Sequence, residues 1–314
     1  MIVTVTLNPS IDRTIAVDAL VRGGVNRAEI IALDAGGKGV NVSRALAVYG
    51  AETHAIMISA ALGGLWFADV LEAARIPHTT VMAQGVTRSN ITLLEADGTV
   101  TKINEPGVTL NESLIADVEA ALSALDLDGS WVVFAGRLNP GAPDDTYLRL
   151  ARFAAARGAK VAVDVSGRPL DIALEAGTVD LIKPNQHELG EIVGRTLSTV
   201  GEVIVAAREV ISRGVATVVC SLGRDGALYI TADEVLHAEP AVVIQGTPVG
   251  AGDILLATFI GGGANAEALV GAVQWSAASV ALPGTAIPTR EQAAAIPVTR
   301  HPEPVLTRQL NEVS

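Results

Sequence analysis

Gly250-Ala251-Gly252-Asp253 runs directly into an apolar stretch at 254–260. Gly250, Ala251 and Gly252 carry almost no side chain, so an anion can come close to their backbone N–H groups. An acidic residue after such a turn suits the first turn of a helix, whose unpaired N–H groups carry partial positive charge. With an ordinary pKa of about 3.9, Asp253 is ionised at neutral pH and could take a proton. A proton acceptor beside a cradle for developing negative charge is what phosphoryl transfer to an alcohol requires. Taken alone, the same four residues also read as a capped turn with no chemistry.

A second glycine cluster, Gly36-Gly37-Lys38-Gly39-Val40-Asn41, combines accessible backbone with a cation and a side-chain amide able to bond hydroxyls. It is not a Walker A loop, because Gly39 rather than Ser or Thr follows Lys38. Lysine is scarce (Lys38, Lys102, Lys160, Lys183), so one inside a glycine turn is informative. In Asn8-Pro9-Ser10-Ile11-Asp12, Asp12 could accept hydrogen bonds from a polyol. Arg27, Arg88 and Arg137 are candidates for a substrate phosphate, whose oxygens match a guanidinium fork.

Lys183-Pro184-Asn185-X-X-Glu188 places Asn185 and Glu188 one helical turn apart, able to face one water or a hydrated cation. The same spacing equally describes an N-cap Asn with a Glu three residues on. Ser221-Leu222-Gly223-Arg224-Asp225-Gly226 closes a strand and turns, and could hold a nucleotide phosphate or base. The five histidines lack metal-ligand spacing. No dinucleotide fingerprint follows a strand, and no Gly-X-Ser-X-Gly elbow is present.

The elements that must position these groups alternate. Apolar strands are expected at 3–7, 54–58, 131–135, 160–165, 179–182 and 215–220, and a β-branched strand at 241–244 before the Gly-Ala-Gly-Asp turn. Helices are expected at 65–74, 146–157, 200–213 and 273–281. That order implies right-handed βαβ units and a mostly parallel sheet covered on both faces. Residues 87–95 and 99–105, flanking Ala96-Asp97-Gly98, break the rhythm as a β-hairpin. With extended pieces near 12–18 and 25–32 they predict a small separate sheet, so one domain spans 1–314 with lid segments at about 11–34 and 86–106. The proline-containing C-terminus reads as a tail on the surface.

At 314 residues, 49% of them hydrophobic, the chain can bury a large core. A net charge of −12 argues against nucleic acid. No apolar run is long enough to span a bilayer and no basic n-region opens the chain, which predicts a cytoplasmic protein. The single Cys220 excludes an internal disulfide and sits in an apolar run, as a core thiol would.

Together and in this order, these motifs resemble the ribokinase-like (PfkB) sugar kinases, within them the 1-phosphofructokinase and tagatose-6-phosphate kinase branch. The carriers are Thr6-Leu7-Asn8-Pro9-Ser10-Ile11-Asp12, Gly36-Gly37-Lys38-Gly39-Val40-Asn41-Val42, Thr87-Arg88-X-Asn90-Ile91 and Asp164-Val165-Ser166-Gly167. Lys183-Pro184-Asn185-X-X-Glu188-Leu189, Ser221-Leu222-Gly223 and Gly250-Ala251-Gly252-Asp253 complete the set, which runs the length of the chain.

The resemblance implies a three-layer αβα sandwich with a β-sheet lid that covers the sugar and mediates a homodimer. It implies ATP and Mg²⁺, with Asp253 as base and Gly250, Ala251 and Gly252 as the anion hole. Asp12, Arg27, Gly36, Gly37, Lys38, Asn41, Arg88 and Asn90 would hold a sugar phosphate. Lys183, Asn185 and Glu188 would organise Mg·ATP, Glu188 through water, while Ser221, Gly223 and Gly226 line the nucleotide site and Gly284 sits near the adenine. Fructose 1-phosphate is the expected substrate. Tagatose 6-phosphate, fructose 6-phosphate and a non-catalytic sugar-phosphate binder are the alternatives. Arg137 stands where relatives usually carry serine, and Thr247-Pro248 replaces an acidic or Asn residue followed by Thr, so the substrate is open at those points.

Overall fold

The computed structural model describes residues 1–175 and 177–311. The first half of the chain holds β1 (Ile2–Thr6), β2 (Ser10–Val17), β3 (Glu29–Gly36), α1 (Lys38–Tyr49), β4 (Thr53–Ala60), α2 (Ala61–Ala73), β5 (His78–Val86), β6 (Ser89–Glu95), β7 (Val100–Asn104), α3 (Glu112–Ser123), β8 (Trp131–Ala135) and α4 (Thr146–Ala155). The second holds β9 (Lys160–Asp164), α5 (Arg168–Leu174), β10 (Leu181–Ile182), α6 (Gln186–Val193), α7 (Val200–Ile211), β11 (Thr217–Ser221), β12 (Ala227–Ile230), β13 (Val235–Pro240), α8 (Ala251–Gly261), α9 (Ala266–Val280), α10 (Arg290–Ala294) and β14 (Val298–His301).

Ten strands form the main sheet in the order β14-β13-β12-β11-β10-β9-β8-β1-β4-β5. From β11 to β5 every pairing is parallel, while β12, β13 and β14 continue the sheet antiparallel. Central strands such as β1 are buried on both faces, as a sheet covered by helices requires. The period of two sends alternate residues to opposite cores. Val3, Val5, Val132 and Phe134 pack with residues of α3, α4 and α7, whereas Ile2, Val133 and Ala135 pack with residues of α1, α8 and α9. This is an αβα sandwich. Cys220 lies in the first of these cores, with burial pushing its thiol up out of the reactive range.

The second sheet has four strands in the order β3-β2-β6-β7. Asp97-Gly98 turns the β6–β7 hairpin, with Gly98 at φ 88° where an L side chain would be strained. The two halves join through a parallel β2–β6 pairing that sets Asp12 opposite Asn90. The β3 strand begins only at Glu29, so the extended character expected from residue 25 starts later.

Two expectations fail. Residues 241–244 form no strand, because β13 stops at Pro240, where its pairing with β14 also ends (Pro240 opposite Val298). A β-branched run without a partner strand has no ladder to join, and Val243 is 81% exposed. The C-terminal tail does more than lie on the surface, since residues 298–301 become the edge strand β14.

Candidate active site

In open α/β sheets ligands bind beyond the carboxyl ends of the parallel strands, and most of the candidate groups lie there. Asn8 follows β1, Arg88 follows β5, Arg137 follows β8, Asp164 ends β9, Lys183 follows β10 and Ser221 ends β11.

Asp253 occupies the first turn of α8, whose N-cap Gly250 adopts φ 78°, ψ −10°. That left-handed turn is open to glycine at no steric cost. The Ala251 amide donates back to the Pro248 carbonyl and the Asp253 amide to that of Gly250, whereas Gly252 N–H has no backbone acceptor among the described residues. A Cβ at position 252 would stand 3.1 Å from Lys183 Nζ, so the glycine lets the ammonium approach the backbone. An unclaimed amide beside a buried cation is a cradle for negative charge.

The Asp253 carboxylate is buried and accepts a hydrogen bond of 2.8 Å from the Asn41 amide. Burial raises its pKa to about 6, the charge of Asp164 adds to the rise, and Asn41, Lys38 and Lys183 partly offset it. A carboxylate poised near 6 is ionised for the most part at pH 7 and holds a proton better than a free aspartate, as general base catalysis favours.

Asp164, not singled out by its chemistry in the sequence, is the hub of the site. Its carboxylate pairs with Lys38 Nζ at 2.9 Å and with Lys183 Nζ at 3.5 Å while itself fully buried. Burial pushes the Asp164 pKa up, but the two ammonium groups outweigh it and hold the carboxyl below its ordinary value. Burial likewise pulls Lys38 down, and the carboxylates of Asp164 and Asp253 more than restore it. The signal that could have found Asp164 is its place, an acid ending an otherwise apolar strand.

Under the small sheet, Asn90 donates to Asp12 at 2.9 Å and to Ser10 at 2.9 Å, and Ser10 donates to Asp12 at 2.7 Å. Burial raises the Asp12 pKa, and these donors limit the rise. A Cβ at Gly36 would collide with the Asp12 carboxylate, and one at Gly37, which sits at φ 111°, would meet Thr6 at 2.9 Å. Arg88 is tied to Asn90 at 3.2 Å and to the Asn8 carbonyl at 3.3 Å. Arg137 is exposed and lies close enough to Arg88 for the two positive charges to repel. Two guanidinium groups within range of each other's charge attract a phosphate.

Not every candidate joins this cluster. Arg27 is exposed in the connection between β2 and β3, at the end of the hairpin away from Asp12 and Gly36. Gly284 packs near Asp34 of β3 (3.8 Å from a Cβ built there), and Thr285 lies against Gly250 and within 3.4 Å of Arg44. That segment therefore borders the anion cradle and the base of the small sheet.

Asn185 and Glu188 form a reciprocal capping box at the start of α6, with bonds of 2.8 and 2.9 Å. No group of three or more His, Cys, Asp or Glu able to enclose a metal occurs among the described residues. The donor set nevertheless fits a hydrated Mg²⁺ brought by nucleotide phosphates. Such an ion keeps most of its waters and needs few carboxylates, and the capping bond engages only one oxygen of Glu188. Beside this cap, Ser221 bridges to Asn185, and Gly223 and Gly226 turn at φ 60° and 80°.

Comparison with known proteins decides the family. The description pfkB family carbohydrate kinase matches residues 5–291. The chain belongs to the PfkB family of carbohydrate kinases. This kinase is 40% identical to the 1-phosphofructokinase of Xanthomonas campestris pv. campestris over 81% of each chain. It is 37% identical to that of Rhodobacter capsulatus over 82% of each. Among solved structures, phosphofructokinase-2 from Escherichia coli in complex with potassium superposes with a TM-score of 0.88 at 30% identity, covering 94% of this chain and 97% of that one. The ribokinase-like architecture expected from the motifs is thereby borne out, and ATP follows as the phosphoryl donor of the family.

Proposed function

We propose that this kinase transfers the γ-phosphoryl group of ATP to the 6-hydroxyl of fructose 1-phosphate, giving fructose 1,6-bisphosphate. The observation that carries the chemistry is the buried Asp253 carboxylate at the N-terminus of α8, poised near pKa 6 beside an unclaimed amide, the buried Lys183 and the half-buried Lys38. The substrate reading is supported by the 1-phosphofructokinase relatives and by the Arg88–Arg137 pair, which offers charge for a sugar phosphate.

In this scheme Asp253 removes the hydroxyl proton as the sugar oxygen bonds to the γ-phosphorus. The bond from that phosphorus to the β–γ bridging oxygen breaks and ADP leaves. Lys183 and the Gly252 amide stabilise charge on the transferred group. A bound Mg²⁺ would neutralise charge on the β- and γ-oxygens, held through water by Glu188. Asp12 and Asn90 orient sugar hydroxyls, and the small sheet excludes water. The exposed apolar residues Ile30, Ile31 and Leu33 on the outer strand β3 support a homodimer formed through this lid.

The test is a coupled ATP-turnover assay with Mg²⁺ against fructose 1-phosphate, fructose 6-phosphate, tagatose 6-phosphate, fructose and ribose. A dominant response to fructose 1-phosphate is expected. Preference for another sugar would keep the mechanism and replace the substrate, and silence across the panel would remove the catalytic reading.

A further inference from the structure

Beyond residue 291, where the family match ends, the chain returns to the edge of the nucleotide side. Residues 306–310 lie along the start of α7. The Leu306 and Arg308 carbonyls accept from the Gly201 and Val200 amides at 2.9 and 3.1 Å, and the Leu310 amide donates to the Ser198 carbonyl at 2.9 Å. Those two carbonyls satisfy N–H groups that a helix start leaves without partners. The segment is therefore fixed along its backbone and holds its side chains in place.

From this strap, side chains reach the 3₁₀ turn Gly223–Asp225. The Asp225 carboxylate, 3% exposed, accepts from Arg308 Nη2 at 2.9 Å, from the Asn311 amide N–H at 2.9 Å and from Asn311 Nδ2 at 2.9 Å. Arg308 also grips Glu239 of β13 with two bonds of 2.6 and 2.5 Å. The Asp225 carbonyl accepts the ring N–H of His237 at 2.7 Å. A turn bounded by two glycines at positive φ has little intrinsic rigidity. Backbone bonds from Asp225 to Leu222 and from Gly226 to Gly223 close the turn, and the contacts on the Asp225 side chain anchor it from outside.

We infer that Arg308, with Asn311, is a positioning residue for nucleotide binding, the C-terminal strap holding the Gly223–Gly226 turn in its ATP-ready shape through Asp225. Neither residue contacts Asp253 or the sugar cluster, so the effect falls on one substrate. The inference rests on the reading of Gly223–Gly226 as part of the nucleotide site.

The experiment compares Arg308→Ala, Arg308→Lys, Gly223→Ala and Arg300→Ala, the last breaking an exposed pair with Glu267 elsewhere on the C-terminal region. Affinity for a non-hydrolysable ATP analogue with Mg²⁺ is measured by calorimetry, KM for fructose 1-phosphate by assay, and backbone hydrogen exchange across 222–227. Arg308→Ala should weaken nucleotide affinity about tenfold, the loss expected for a bond to a charged group, and speed exchange in the turn. KM for the sugar phosphate should stay within about twofold, the usual scatter for a change remote from a site. Arg308→Lys keeps the charge without the fork and should fall between, and Arg300→Ala should match the parent.

Weakened affinity in Gly223→Ala with unchanged affinity in Arg308→Ala would overturn the strap alone. Unchanged affinity in both would overturn the nucleotide-turn reading and the strap with it. If Arg308→Ala does not fold, Arg308→Lys carries the comparison, and parent-like affinity in it overturns the inference.

Discussion

Asn41 and Asp253 are 212 residues apart in sequence and 2.8 Å apart in the fold, the amide of one donating to the carboxylate of the other. The bond joins the first turn of α1 to the first turn of α8, so two glycine-led helix starts share one acid. Because the donor favours the ionised carboxylate, it opposes the effect of burial on the proposed base.

Asp253→Asn should lower kcat by about 10²–10⁴-fold, the usual worth of a general base, with nucleotide affinity retained. Turnover near that of the parent in a single-turnover assay would remove Asp253 from the mechanism.

The same substitution should raise stability. A folded-state pKa near 6 against about 3.9 unfolded means the ionised form is held at a cost of about 3 kcal/mol as an upper figure. That cost is fully present above pH 6, shrinks as pH falls toward 4, and vanishes where both states are protonated. Urea unfolding of parent and Asp253→Asn at pH 7.5 and pH 4 should therefore show a gap that is large at the higher pH and small at the lower.

On the acid side, kcat/KM should fall with an apparent pKa near 6 as Asp253 takes up a proton. Asn41→Leu removes a donor to the charged form and should move that limb to higher pH. An unmoved limb would show that another group controls it.

Asp164→Asn leaves Lys38 and Lys183 facing each other without their shared counter-ion. Loss of one partner of a buried pair commonly costs about 3–5 kcal/mol, so a fall of that order in urea-derived stability is expected, together with loss of turnover. A parent-like stability would place Lys183 in solvent, contrary to its 5% exposure.

Arg137→Ser should raise KM for the sugar phosphate by roughly tenfold or less, since the side chain is exposed and its charge is screened. KM for ATP should not change. Equal effects on both would detach Arg137 from the sugar phosphate.

Much of this arrangement was legible because it is written in local patterns. Alternating apolar runs gave the strands, Asp97-Gly98 gave the hairpin, and small residues before Asp253 gave the helix start. What remained hidden depends on pairing across the chain. Residues 241–244 have strand-like types but no neighbouring strand, while 298–301 have a vacant edge beside β13 and take it. Asp164 matters because Lys38 and Lys183 converge on it, and no spacing in the sequence announces a contact among positions 38, 164 and 183. Of the two readings of Asn185 and Glu188, the cap is the one seen in the fold, and it leaves one oxygen of Glu188 outside the capping bond.

The small sheet joins the body at four chain crossings, β1 to β2, β3 to α1, β5 to β6 and β7 to α3. A flap hung on one strand pair would pivot freely, but a plate stitched at four points resists rotation about any single seam. Because β2 and β6 pair with Asp12 opposite Asn90, any displacement of one strand carries both residues as one unit. Closure over a sugar would then move both contacts in step, and stiffening any one crossing would slow the whole plate.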